Sequence, residues 1–283
     1  MKTTIFILTF LLAANNVFSQ KKSHQIYNAK GKKVSYNKMI KTLAKQDIIL
    51  FGELHNNPIS HWLQYEVTSD LHKNRKLILG AEMFEADNQS FLNDYINKVI
   101  TYEELDSLAR LWRNYKTDYA PLVDFAKENN LPFVASNIPR RYANLVYKKG
   151  FGALDSLSTE EKSWIAPLPI PFDSELPTYQ KILTDMGDHG SPELVQAQAT
   201  KDATMAYFIL TNYKEDFLFL HFNGAYHSDF YEGILWYLKK NKDDKMYATI
   251  STVSQKEVGK LQKENYGKAD YIICVTDNMT KTY

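Results

Sequence analysis

The chain predicts an α/β fold: a mainly parallel sheet flanked by helices, carrying a helical block and a Pro-rich insertion. Three observations carry this expectation. From residue 47 onward, short apolar runs of strand length alternate with longer stretches of helical periodicity. Four polar clusters each follow an apolar run directly: Gly52-Glu53-Leu54-His55, Glu82, Asn137 to Tyr142, and Asn223-Gly224-Ala225-Tyr226-His227. The composition, 44% hydrophobic and 24% charged, suits a globular chain with ample material for a core.

Residues 1–19 have the layout of a secretory leader. Lys2 provides the positive start, the apolar stretch 5–14 is too short to span a bilayer, and Val17-Phe18-Ser19 ends in a small residue. Cleavage after Ser19 is expected; the competing reading is a buried N-terminal helix. No cysteine follows the apolar run, so lipoprotein-type attachment is not expected, and no other run reaches transmembrane length. Residues 20–283 are expected to form a single α/β domain with an insertion at about 151–191.

Within that domain, 25–36 reads as a hairpin turning at Ala29-Lys30-Gly31, and 37–45 as a short helix before the first core strand, 48–51. Asn57 caps the next helix and Pro58 takes its first position, where a missing N–H costs nothing. Ile59, Leu63, Val67 and Leu71, joined by Trp62, mark the buried face, which leaves His61 and His72 on the wet side. Strand 77–81 follows, then the helical block. There Asp87 or Asn88 caps 89–99, Thr101 and Glu104 form a capping box for 102–112, and Pro121 opens 122–129.

Strand 132–136 leads to helix 140–149, stopped by Gly150, and Ser158 with Glu161 forms a second capping box. Pro167, Pro169, Pro171 and Pro177 interrupt any regular element in 166–191, a segment long enough to act as a lid. Next come helix 192–212, strand 217–222, helix 229–240, strand 246–252, helix 255–264 and strand 271–275.

Without the leader, 33 basic residues balance 33 acidic ones, so net charge makes no case for nucleic acid or an anionic membrane. Cys274 is the only cysteine and lies in an apolar run; it reads as a core thiol, and no disulfide framework is available.

In a parallel sheet, the loops past the strand ends line one crevice, so distant clusters converge there. Glu53 and His55 sit two apart where a helix begins, placed to share a metal or to act as an acid–base pair. The alternative makes Glu53 a turn cap and His55 a surface group. His227 stands three after Gly224, which permits close backbone approach or a positive φ. Asp229 is assigned to capping the following helix rather than to orienting His227. His221 points either into the packing or into the crevice. At the second strand, Glu82 is expected in the crevice and Glu85 at the next helix. Arg140 and Arg141 can clamp carboxylates or phosphates, and Tyr142 can serve as a phenolate ligand, since haem iron accepts tyrosine. The competing reading is a solvated helix start.

These segments, taken in order, resemble the ChaN family of haem-binding uptake proteins, within the wider Tiki/TraB and erythromycin-esterase-like group. The matching stretches are Ile49 to Asn57, Leu79-Gly80-Ala81-Glu82-Met83-Phe84, Tyr119-Ala120-Pro121-Leu122, Val134 to Arg140, Lys201-Asp202-Ala203-Thr204-Met205-Ala206, and Asn223 to His227. The resemblance implies an α/β fold, an exported location (periplasmic or secreted) and haem handling in iron acquisition. It further implies a homodimer holding two stacked haems with tyrosinate ligation. It carries the ligand role onto Tyr142, with Tyr147 next, and places Arg140, Arg141, His55 and His227 at the haem. The chain departs from many relatives in lacking the cysteine of a lipoprotein. The wider group contains hydrolases and metal-dependent proteases. That implies a second reading, in which Glu53, His55, Glu82 and His227 are catalytic and a divalent metal sits on Glu53, His55 and His227. Enzyme and binding protein both stay open; a purely structural role has no residue in its favour.

Overall fold

Seven strands form one sheet in the computed structural model, which describes residues 21–187 and 190–283. The expected leader falls outside the described residues, as do positions 188 and 189 of the Pro-rich segment. The strands are β1 (His24–Asn28), β2 (Ile48–Glu53), β3 (Lys76–Glu85), β4 (Phe133–Asn137), β5 (Phe217–Gly224), β6 (Tyr247–Gln255) and β7 (Tyr271–Thr276). Their lateral order is β1-β7-β6-β2-β5-β3-β4. All pair in parallel except β1, which runs antiparallel to β7 at the edge. The expected mainly parallel sheet is present.

The helices are α1 (Tyr36–Leu43), α2 (Pro58–His72), α3 (Gln89–Ile96), α4 (Tyr102–Leu108), α5 (Ala120–Asn129), α6 (Arg140–Lys149), α7 (Thr159–Lys162), α8 (Pro177–Met186), α9 (Pro192–Asn212) and α10 (Ile234–Asn241). Alternation along each strand sorts them into two layers. Ile49, Phe51, Leu79, Leu220 and Phe222 pack with Leu63 and Val67 of α2 and Val123 of α5. Ile48, Leu50, Ile78 and Phe219 pack on the other face with Val146 of α6, Met205 of α9 and Leu238 of α10. Every residue of β2 is buried, as a central parallel strand covered on both faces requires. The parallel strands therefore end at one rim.

The local signals at helix starts hold. Asn57 Oδ1 accepts the N–H groups of Ile59 and Ser60, each at 3.1 Å. Both capping boxes form, at Thr101 with Glu104 and at Ser158 with Glu161. Asn88 stands at the N-cap of α3 but makes no side-chain cap bond.

Several expectations are corrected. Residues 255–264 form no α-helix, and a 3-10 turn begins only at Lys263: Gln255 gathers the loop instead, accepting from Gln262 N–H at 3.0 Å and donating to the carbonyls of Glu257 and Lys260 at 3.1 Å. The helix placed at 229–240 starts only at Ile234, after Phe230 and Tyr231 have adopted positive φ. Asp229 caps nothing; its carboxylate accepts from Ser251 at 2.6 Å and Lys268 at 3.0 Å. Pro177 does not break structure but opens α8, inside the Pro-rich segment. The main partner of β1 is β7, and the hairpin survives only as a Tyr27–Lys33 bridge.

On α2, Trp62 is 51% exposed while His61 is 7% exposed, the reverse of the expected faces. The reason is a π-helical turn, Tyr115–Tyr119, laid across the helix: the Tyr119 ring meets the His61 ring edge-on at 5.2 Å. What reads as a wet side is covered.

Candidate functional site

Glu53 closes β2 beside Gly224, which closes β5, at the centre of the sheet. The Glu53 carboxylate is fully buried and saturated. Oε1 accepts from Tyr119 at 2.8 Å and from His55 Nδ1 at 2.9 Å, and Oε2 accepts from Gln64 at 2.6 Å. His61 stands behind, its Nε2 donating to the His55 carbonyl at 3.1 Å, a carbonyl that Asn114 also reaches at 3.1 Å. Asn114 in turn donates to Asp118 at 2.6 Å. His55 is thus held from its ring and its backbone. Burial lowers its pKa, but the Glu53 hydrogen bond and the nearby Glu82 charge outweigh this and raise it.

The second imidazole is closed in more tightly. His227 Nδ1 lies 2.5 Å from Asp202 of α9, and Nε2 lies 3.2 Å from Glu82 of β3. Asp202 also accepts from Tyr179 of α8 at 2.9 Å, and Glu82 also accepts the Gly224 N–H at 2.7 Å. Burial works against the His227 charge, yet Glu82 and Asp202 raise its pKa to about 10. Burial likewise pushes Glu82 upward, but the His227 charge and hydrogen bond hold it well below the carboxylate range. Burial raises Asp202.

Two glycines are dictated by this packing. A Cβ on Gly224 would stand 2.7 Å from His55 Nε2, so close approach rather than a positive φ is what the position needs. Gly233, at φ +54°, turns the chain against the His227 carbonyl, which a Cβ would meet at 2.3 Å.

His55, His227 and Tyr283 stand between two clefts. The larger, about 1080 Å³, is walled by Trp112, Ile138 and Ala143 and contains Glu82, Glu85, Arg110, Arg113, Arg140, Arg141 and Lys201. Arg110 pairs with Glu85 at 2.8 Å and with Asp87, and Arg141 pairs with Asp87 at 2.6 Å. Arg113, Arg140 and Lys201 make no ion pair among the described residues, so the cleft is cationic on balance. The second cleft, about 790 Å³, is lined by Ile182 and Met186 of α8 together with Gln198, Tyr226 and Asn265.

Glu53, His55, Glu82 and His227 are therefore neighbours, and Arg140 and Arg141 share a cleft with three of them. Tyr142 and Tyr147 are not among the residues lining either cleft. The buried Tyr142 hydroxyl donates to Glu161 at 2.9 Å and accepts from Arg141 at 3.0 Å, and burial with Glu161 raises its pKa. Tyr147 is 45% exposed on α6. His221 belongs to the packing: it is buried against Ser136 at 2.7 Å and Asn223 at 3.2 Å, and burial lowers its pKa to about 4.

The divalent-metal expectation for Glu53, His55 and His227 finds no support. Among the described residues no three His, Cys, Asp or Glu side chains are grouped to hold a metal ion. Carboxylates engage both His227 nitrogens and Glu53 already accepts three hydrogen bonds, which leaves His55 Nε2 as the uncommitted atom of the three residues.

Sequence reasoning gave no role to Asp202, Tyr179, Arg113, Tyr119 or Gln64. For Asp202 a signal existed: Val195, Ala199, Asp202, Ala206 and Ile209 form one helical stripe, and an acid in such a stripe needs a buried partner.

Residues 39–238 match the model of a family described as haem-binding uptake, Tiki superfamily, ChaN. Among solved structures, the chain is similar to ChaN of Campylobacter jejuni, a protein with cofacial haem binding. The TM-score is 0.66 and the identity 22%, covering 89% of this chain and 97% of that one. It is also similar to the erythromycin esterase EreC in its open conformation, with TM-score 0.52, 10% identity and coverage of 90% and 97%. A Bacillus cereus protein gives TM-score 0.51 and 12% identity, covering 90% and 95%. At these identities the likeness is one of fold. A curated relative, RETICULATA-RELATED 5 of Arabidopsis thaliana, a chloroplastic protein, is 26% identical over 180 residues, 58% of this chain. The match spans 24% of that relative's length.

Proposed function

This chain belongs to the ChaN family of haem-binding uptake proteins of the Tiki superfamily, and from that premise we propose that it is an exported haem-binding protein acting in haem and iron acquisition. The observation that carries the reading is the larger cleft. Its volume of about 1080 Å³ suffices for a porphyrin, its walls include Trp112 and Ile138, and Arg113, Arg140 and Lys201 have no acidic partner among the described residues. Bound haem would supply an iron centre needing a side-chain donor and two carboxylates needing cations.

The residues fit those needs unequally. His55 Nδ1 is fixed on Glu53, an arrangement that orients an imidazole and leaves Nε2 for a ligand. Tyr142 would first have to leave Glu161 and Arg141. We therefore assign the iron contact to His55 ahead of Tyr142 and Tyr147, and the carboxylate contacts to Arg140 ahead of Arg141. The working unit is the single domain 20–283, with 166–191 as a lid over the second cleft, and two copies face each other across the haem.

Haemin titrated into chain 20–283 should give a shifted Soret band, and His55→Ala should weaken binding about tenfold or more. Tyr142→Phe should leave the band in place. A spectrum identical to free haemin sinks the reading, and loss in Tyr142→Phe alone moves the ligand back to that tyrosine. Native mass spectrometry of the loaded sample should show dimers; monomers only would remove the dimer.

One observation favours a second reading, as a hydrolase: two carboxylate-backed imidazoles, Glu53–His55 and Asp202–His227–Glu82, share one rim. Turnover of a chromogenic ester should then vanish in Glu82→Gln. Equal rates in variant and parent discard that reading.

A further inference from the structure

The zero net balance of the chain conceals a segregation. Between residues 20 and 46 stand eight lysines and no Asp, Glu or Arg. Leaving out Lys2, the other 25 Lys and Arg face all 33 acids, so residues 47–283 carry a formal charge of −8. All eight lysines are exposed, and none makes an ion pair among the described residues.

Six of them collect at one end of the molecule. Lys30 and Lys32, in the turn after β1, and Lys38 of α1 line a groove of about 540 Å³ with Tyr247 and Tyr271, where β6 and β7 begin. That is the rim opposite the two clefts. Lys33 lies in the same turn. Lys38 and Lys41 stand three apart on the face of α1 opposite the buried Met39 and Leu43, and Lys45 follows in the turn after that helix. This rim also carries acids: Asp270 accepts from Thr249 N–H and Tyr231, Asp47 accepts from Met246 N–H, and Lys245 pairs with Glu215 at 2.7 Å and with Asp244 at 3.7 Å.

We propose that this lysine-bearing rim is a docking surface for an anionic lipid membrane. Lysines are hydrated point charges without the fork that fixes one phosphate or one base edge, so they suit a diffuse charged plane. The apolar face of α1 is spent on the core, which leaves electrostatic adsorption without insertion. Adsorbed through this rim, the molecule presents the clefts at the opposite rim to solution. The inference does not depend on what the clefts bind.

The test is cosedimentation of chain 20–283 with vesicles of phosphatidylglycerol and phosphatidylcholine, against vesicles of phosphatidylcholine alone. Binding should require the anionic lipid and disappear at high salt. Combining Lys30→Gln, Lys32→Gln, Lys38→Gln and Lys41→Gln should weaken it by about fivefold for each lysine lost. All four side chains are exposed, so the variant's thermal unfolding midpoint should match the parent's. Equal binding to both vesicle types, or undiminished binding by the variant, overturns the proposal. Tighter binding to duplex DNA than to the anionic vesicles would also overturn it, in favour of a nucleic-acid surface.

Discussion

Both ring nitrogens of the buried His227 face carboxylates, at 2.5 Å and 3.2 Å. Its folded pKa, about 10, lies above the ordinary 6.5. The stability it contributes is complete below about pH 6.5 and is lost as pH rises through about 10. Glu82 has the opposite sign: its depressed pKa contributes stability above its ordinary 4.5 that disappears as pH falls through the folded value. Asp202, raised by burial, subtracts from stability once ionised, above its ordinary 3.8. Urea unfolding should therefore show the parent weakening from pH 6.5 to pH 10, with the decline flattened in His227→Gln. A parent curve level across that window contradicts the assignment. At this scale the strand-end residues Glu53, His55, Glu82 and His227 were legible, because a strand end tells where a side chain goes. Their partners Tyr119 and Gln64 were not, nor was Tyr179, which holds Asp202, since each arrives from an element whose docking the sequence does not state.

Elements were legible where a local rule governs them. Asn57-Pro58, Thr101 with Glu104 and Ser158 with Glu161 act within one helical turn and are seen as read. Elements failed where a neighbour overrides the period. The side of α2 bearing His61 looked wet because the π-helical turn that covers it comes some fifty residues later. In 255–264 the spacing of Val258 and Leu261 mimics a helix, yet both are buried beside Tyr27 in a loop organised by the Gln255 amide. Gln255→Ala should accordingly cost about 1–3 kcal/mol in urea unfolding, because it strips partners from buried backbone groups. Lys256→Ala next door, exposed, should stay within about 0.5 kcal/mol. Equal effects at the two positions would show that Gln255 does not organise the loop.

For the molecule as a whole, alternation of strand and helix was enough to announce a parallel sheet and a crevice at its rim. It did not give the lateral order β1-β7-β6-β2-β5-β3-β4, nor which cations meet in the cleft. Arg113 and Lys201 come from different layers and stand 88 positions apart. Net charge was a poor guide for a related reason: it averages over the eight lysines between residues 20 and 46, a stretch without an acid, and the acid-rich remainder of the chain.

The lateral order also has a consequence for how the molecule comes into being. Strands β2 and β3 are successive in the chain, yet β5 lies between them and pairs with both. A nascent chain emerging from the ribosome thus holds only the β3–β4 pair, with β1 and β2 still partnerless, until residue 224 or so has appeared. Closure of that long gap is slow on topological grounds, and the waiting edges are sticky. Glu53 and Glu82 acquire their shared surroundings only when β5 joins β2 to β3, so the pocket is born at that step, and β6 and β7 then widen the sheet around it.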